Sequence, residues 1–243
     1  MEKVIEIDNL KKSFNGKPVL TGINLSVSKG ENVVVLGRSG QGKSVTIQCI
    51  AGLLEPDEGT VKVLGQMVHE LGEETLKALR TRIGFLFQHA ALYDSMSVRE
   101  NLAFPLKNAL KIKDKVEIKR RSEEVLEAVG LADAIDKMPS DLSGGQRKRM
   151  GLARTLIVKP EIILYDEPTT GLDTITSKEI SHLMIDINKR YNTTAIIITH
   201  DMHCAKLVDG RIMIMSDGKY IAEGSYAELE KSEDEKINSF FKL

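Results

Sequence analysis

Eight residues, Gly37-Arg38-Ser39-Gly40-Gln41-Gly42-Lys43-Ser44, fit the pattern G-x-x-x-x-G-K-[ST]. This spacing suits the handling of phosphates. Glycines let the backbone curl so that successive N–H groups point inward at phosphate oxygens. A helix starting after Gly42 adds its positive end, Lys43 reaches the outer phosphates and the Ser44 hydroxyl can ligate Mg²⁺. A second string, Ile162-Ile163-Leu164-Tyr165-Asp166-Glu167, is an apolar run ending in two carboxylates. In a parallel sheet the C-terminal strand ends open into the ligand crevice. There Asp166 suits Mg²⁺, directly or through water, and Glu167 suits polarising a water for in-line attack on a phosphate. A third string, Leu142-Ser143-Gly144-Gly145-Gln146, reads as a helix N-terminus with Ser143 as N-cap and two glycines exposing backbone amides. It is a second anion-binding helix end. One nucleotide does not need two such ends from one subunit.

These strings need elements to hold them. Residues 4–8 and 19–27 alternate apolar and polar positions, the half-buried strand period. Asn32 to Leu36 is a buried strand leading into the phosphate loop, and a helix follows to Ile50. Pro56, Asp57 and Gly59 make a turn before Val61 and Val63 alternate again. A short helix covers Glu74 to Arg82, and Ile83 to Phe87 is another buried strand. From about 90 to 158 the pattern is helical, with one helix over 116–129 stopped by Gly130 and another over 143–158 closed by Pro160. Strand character returns at 162–165, 194–199 and 211–215, and Asp217-Gly218 signals a hairpin. The last residues read as helix, with Ser225…Glu228 and Ser232…Glu235 fitting capping boxes.

Strands alternating with helices predict an α/β fold with a mainly parallel sheet, beside an N-terminal antiparallel β layer and an inserted α-helical subdomain. The expected division is a core over 1–88 and 159–224, a helical subdomain over 89–158 and a helical tail over 225–243. Two placements fit the tail, whose Ile237, Phe240 and Phe241 are apolar: docking on its own chain or reaching across a dimer.

Composition narrows the class. The chain has 243 residues, 42% apolar and 28% charged, and Lys+Arg 34 against Asp+Glu 35 gives a net charge of -1. That balance argues against nucleic acid as the main partner. The longest apolar runs have four residues, as in Val33–Leu36, whereas a membrane-spanning helix needs about 20. No signal-peptide stretch is present, and Cys49 and Cys204 form no disulfide framework, which fits a reducing cytoplasm. The basic cluster Lys111, Lys113, Lys115, Lys119, Arg120, Arg121 reads as a solvated helix face. His200, His203 and Cys204 read as a strand end and the helix after it rather than a metal cluster.

The string Leu142–Gln146 resembles the signature of ATP-binding-cassette (ABC) ATPases, whose fold is a P-loop NTPase core, and the resemblance extends over essentially the whole chain. In that family the signature of one subunit caps the γ-phosphate held by the phosphate loop of the other. The resemblance implies ATP and Mg²⁺ as ligands, with Phe14 stacking on adenine, Gly37 to Val45 holding the phosphates and Ser143 to Gln146 completing the site across a head-to-tail dimer. It implies Gln88 as the Q-loop residue sensing Mg²⁺ and the attacking water, Asp173 in a D-loop at the interface, and His200 as a switch histidine on the γ-phosphate. Catalysis is then expected from Lys43, Gln88, Glu167 and His200, and Mg²⁺ ligation from Ser44, Gln88 and Asp166.

The segment Phe87–Leu106 and the run Glu167-Pro168-Thr169-Thr170-Gly171-Leu172-Asp173-Thr174-Ile175-Thr176-Ser177 look like the ATPases of MCE-associated lipid transporters of the Mla type. Thr174 departs from the Pro of that group and Gln146 from its frequent Met. This finer resemblance implies phospholipid movement between bacterial membranes, with a permease docked near 89–106, an MCE-domain protein and a small cytosolic regulatory subunit as partners. The expected place is peripheral, on the cytoplasmic side of the inner membrane. Leu92, Tyr93, Met96, Phe104 and Leu106 are the candidates for the permease groove. The alternative reading is an ABC ATPase of another transporter, or of a non-transport envelope complex such as lipoprotein release or cell-wall machinery.

Overall fold

The computed structural model describes residues 2–242; Met1 and Leu243, the outer ends of the expected core and tail, lie outside the described residues. Two sheets share the chain. The first joins β1 (Lys3–Phe14), β2 (Lys17–Ser28), β4 (Glu58–Val63) and β5 (Gln66–Met67) in the order β2-β1-β4-β5, all antiparallel. The second holds β3 (Asn32–Leu36), β6 (Ile83–Leu86), β7 (Ile162–Asp166), β8 (Thr194–Thr199), β9 (Arg211–Ser216) and β10 (Lys219–Gly224), in the order β10-β9-β3-β8-β7-β6. Only β10 runs antiparallel there, returning from β9 through Asp217 and Gly218, both at positive φ as a two-residue hairpin turn demands.

The period of two in the central strands divides the core. Val34, Leu36, Ile163, Tyr165, Ala195 and Ile197 face one cluster, while Val33, Val35, Ile162, Leu164, Ile196 and Ile198 face another. Both faces are therefore covered, which is why these strands read as unbroken apolar runs. The antiparallel sheet and α1 (Lys43–Ile50) cover one face. On the other lie α3 (Val98–Asn108), α4 (Lys115–Ala128), α5 (Gly144–Leu156), α6 (Thr174–Tyr191) and α7 (Met202–Val208). The remaining helix of the first half, α2 (Glu73–Thr81), buries Leu79. No helix among the described residues is long and apolar enough to cross a membrane.

Several expectations shift. Gly59 lies inside β4, not in the turn before it, because its φ of 84 and backbone contact with Asn9 make it a strand irregularity opposite β1. Phe87 falls beyond β6 and is exposed, its ring stacked on Phe85. Residues 90–97 turn before α3 begins, because Ser97 and Glu100 form a reciprocal capping box there. The tail forms only α8 (Tyr226–Glu230) and α9 (Glu235–Asn238). Ser225 caps α8 as expected, but Asp234 rather than Ser232 caps α9, since a carboxylate sits one position before its first residue. Ile237, Phe240 and Phe241 pack on the chain's own larger core, and Phe241 meets Tyr226 edge to face. In the basic cluster Glu117 binds both Arg120 and Arg121, whose guanidinium groups hold its carboxyl down at about 2.

Candidate active site

The loop between β3 and α1 turns on Gly40 and Gly42, at φ 80 and 100. A Cβ on Gly42 would stand 2.7 Å from Leu20 Cδ2 and 3.0 Å from the Val19 carbonyl oxygen. Only glycine fits the cradle here. The amides of Gly42, Lys43, Ser44 and Val45 find no acceptor among the described residues, and α1 starts with no side-chain cap. Four unpaired donors at a helix start suit an anion, and the arrangement fits a phosphate chain.

Lys43, the Ser44 hydroxyl, His200 and two acids converge below this cradle. Lys43 is 5% exposed; its Nζ donates to the carbonyls of Gly37 at 2.7 Å and Arg38 at 3.2 Å, and lies 3.2 Å from Glu167 Oε1. The Ser44 hydroxyl donates to Asp166 Oδ1 at 3.1 Å. Burial raises the Asp166 carboxyl above its ordinary range, partly offset by that bond. A hydroxyl and a carboxylate so paired are hard oxygen donors, which fits Mg²⁺. Glu167 is itself buried and holds φ 48, a left-handed conformation costing about 1–2 kcal/mol for a residue with a Cβ. Strain of this kind persists where surroundings over-determine it. Here the Glu167 amide donates to Ile198 O at 3.0 Å, and its carbonyl accepts from Thr170 N at 3.3 Å. Its Oε2 receives His200 Nδ1 at 2.8 Å, and His200 N and Thr170 Oγ1 lie at 3.3 and 3.4 Å.

One cleft of about 410 Å³ is lined by Phe14, Val19, residues 39–45, Gln88, Glu167 and His200. The structure thus brings together most residues singled out in the sequence, and Phe14 reaches the cleft from the end of β1 as an exposed ring. The string Ser143–Gln146 and Asp173 do not line it. Ser143 and Gln146 instead cap each other at the start of α5 (2.9 and 3.2 Å). Asp173 caps α6, bonding the amides of Ile175 and Thr176 at 3.0 Å and the Thr176 hydroxyl at 2.6 Å; these bonds hold its carboxyl below the usual range. No cluster able to hold a metal forms from His, Cys, Asp and Glu alone among the described residues, and Cys204 is buried in α7.

The expected groove residues separate. Tyr93 is exposed, against Phe104 at 4.8 Å and beneath the Arg154 guanidinium at 5.1 Å. Leu92, Met96 and Phe104 are half-buried. Leu106 is fully buried in the core and cannot line a surface groove; its position on α3 puts it on the inward face with Leu102 and Ala103. A cleft of about 620 Å³ opens between α2, β6, the end of α3 and α5, lined by Ala78, Phe85, Pro105, Ala109, Arg154 and Val158 among others.

Lys148 escaped sequence reasoning. It is 6% exposed on α5, and its Nζ donates to the carbonyl oxygens of Gln88 and of Glu167. Burial lowers its pKa. The signal was present: Lys148 precedes Gly151, Leu152 and Thr155 at helical spacing, so a cation occupies the apolar stripe of its helix.

The profile of the ABC transporter family matches residues 20–170. The chain belongs to that family and carries an ABC ATPase domain. It is 40% identical over 223 residues to the methionine import ATP-binding protein MetN of Rhizobium etli, and 41% over 218 residues to MetN of Legionella pneumophila. These matches cover 92% and 90% of this chain but only 61% and 63% of the relatives, so the chain spans about three fifths of their length. Among solved structures it resembles the dimeric ATP-binding cassette MJ0796 in a post-hydrolysis state with ADP and Pi, with a TM-score of 0.82 and 31% identity over 91% of this chain and 98% of that one. It also resembles CbiO1 of Clostridium perfringens, part of the transporter complex CbiONQ, with a TM-score of 0.87 and 29% identity over 100% of this chain and 96% of that one.

Proposed function

We propose that this chain hydrolyses ATP as the motor of an ABC transporter, working as a head-to-tail dimer. The observation that carries this reading is the cleft joining the 39–45 loop, Gln88, Glu167 and His200, with the Ser143–Gln146 helix end outside its lining. Each chain then offers two half-sites. Phe14 stacks on the base, and Gly37 to Val45 hold the phosphates of one nucleotide. Ser143 to Gln146 and Asp173 complete the site of the partner copy. Ser44, Asp166 and Gln88 would hold Mg²⁺, which neutralises phosphate charge when bound. Glu167 accepts the proton of the attacking water, His200 orients Glu167, and Lys43 transfers its bonds from Gly37, Arg38 and Glu167 to phosphate oxygens. The shared nucleotide closes the dimer, and its cleavage reopens it.

The test is Glu167→Gln: ATP is bound and a closed dimer accumulates on gel filtration, while phosphate release falls by about 10²–10⁴-fold. Turnover at the wild-type rate would refute Glu167 as the base.

The motor needs a membrane permease, and the cleft between α2, β6, α3 and α5, whose lining Arg154 also lies over the Tyr93 ring, suits its docking segment. The chain would then sit peripherally on the inner membrane. For the cargo, identity over 92% of the chain to methionine importers favours a small amino acid. The 87–106 segment favours the lipid reading instead, with an MCE-domain protein and a small regulatory subunit as further partners. Reconstituted with its permease, the motor should be stimulated by an amino-acid-loaded binding protein; stimulation by a phospholipid-loaded MCE protein would reverse the choice.

A further inference from the structure

The side chain left without a task in this scheme is Lys148. Its ammonium lies inside the protein, where an unligated charge is strongly disfavoured. A Leu or Met would suit the stripe it occupies beside Leu152 and Thr155. What holds it is a pair of main-chain carbonyls from two other segments: Gln88, just beyond β6, and Glu167, at 3.3 Å, just beyond β7. One ammonium on the helix that begins at Ser143 therefore ties together the two peptides that carry the water-sensing amide and the base. The Glu167 peptide is the strained one, at φ 48, and its carbonyl is shared between Lys148 and the Thr170 amide.

We propose that Lys148 is a positioning residue for ATP hydrolysis: by ligating the Glu167 and Gln88 carbonyls it fixes the direction of the Glu167 carboxylate and makes it depend on the seat of α5. The proposal rests on the reading of Glu167 as the base. Lys148 does not line the cleft and bonds main-chain carbonyls behind it, so its loss misdirects the base and leaves the binding loop as it was.

Steady-state ATP hydrolysis by the full chain tests this. Lys148→Met keeps an unbranched apolar stem and removes every donor. It should lower kcat by about 10- to 100-fold, the effect of a misplacement near 1 Å, with KM for ATP and fluorescent-nucleotide affinity nearly unchanged. Lys148→Arg restores donors and should recover part of the rate. The double variant Lys148→Met/Glu167→Gln should be no slower than Glu167→Gln, because residues acting as a unit are not additive. A wild-type kcat in Lys148→Met, or an equal loss of kcat and nucleotide affinity with a lowered Tm, would overturn the positioning role. So would a double variant slower than Glu167→Gln by the full single-variant factor. Wild-type turnover in Glu167→Gln would instead overturn the base reading, and the proposal with it.

Discussion

His200 Nδ1 stands 2.8 Å from Oε2 of Glu167, while Lys43 Nζ stands 3.2 Å from Oε1. Both oxygens of the proposed base are thus held within one chain, from the residue just beyond β8 on one side and α1 on the other. A carboxylate gripped at both ends has a fixed plane, and an attacking water must meet whichever oxygen is released to it. His200 is the more exposed partner, 55% at the side chain against 5% for Lys43, and is the one that contacts from a partner or a γ-phosphate can reach.

His200→Ala removes the side-chain bond and leaves the backbone N–H of residue 200 facing Oε2. Phosphate release should fall by about 10²-fold or more, in the range of positioned acid–base groups, with KM for ATP changed little. His200→Gln, which keeps a donor, should fall less. Equal rates in wild type and His200→Ala would show that the contact does not orient the base.

The elements that carry the chemistry were legible because each obeys a local rule. The loop pattern needs glycine at 42 for a left-handed turn, β7 needs apolar residues on both faces, and Asp201 caps α7 where a short polar side chain should. What escaped depends on distance in sequence. Nothing near Lys148 announces that the carbonyls of Gln88 and Glu167 will be its partners, since they lie 60 and 19 positions away. The buried face of Leu106 was hidden for a related reason: α3 presents apolar residues on more than one side, and only the packed core decides which of them is covered.

Gly145 offers a second test, of how the Ser143–Gln146 string is seated. A Cβ there would stand 2.6 Å from Thr176 Cγ2, and Thr176 cannot swing away without breaking its 2.6 Å bond to Asp173. In an open helix Gly→Ala gains about 1 kcal/mol from propensity. Here Gly145→Ala should destabilise instead. Thr176→Ser keeps the hydroxyl and deletes the offending methyl, so the double variant should regain stability, with a coupling of about 0.5–3 kcal/mol in a urea-melt cycle. Additive effects would mean the two segments adjust independently.

The expected groove residues should divide by burial. Leu106→Ala empties a site in the core of the helical layer and should cost about 2–5 kcal/mol of stability. Tyr93→Ala loses the stacked Arg154 and the Phe104 contact at an exposed position, a cost of about 1 kcal/mol. Only the second should weaken association with a permease while leaving basal hydrolysis intact. If Tyr93→Ala binds the permease as wild type does, docking does not use the Tyr93 surface.

Both thiols are 1% exposed, and burial pushes Cys49 and Cys204 up to about 11, with a bond from Ser181 opposing the rise at Cys204. The thiolate is the reactive form, so at pH 8 only about one native thiol in a thousand is ionised, and iodoacetamide should label neither residue until urea is added. The same burial ties stability to alkaline pH. Between the unfolded thiol value near 9 and about 11 the folded state keeps protons that the unfolded chain has released. The contribution is therefore complete below about pH 9 and is lost as pH rises toward 11. Replacing both with Ala should make the fall of Tm across that interval shallower. An unchanged slope, together with labelling of the native chain at pH 8, would show that the two thiols open to solvent more readily than their packing allows.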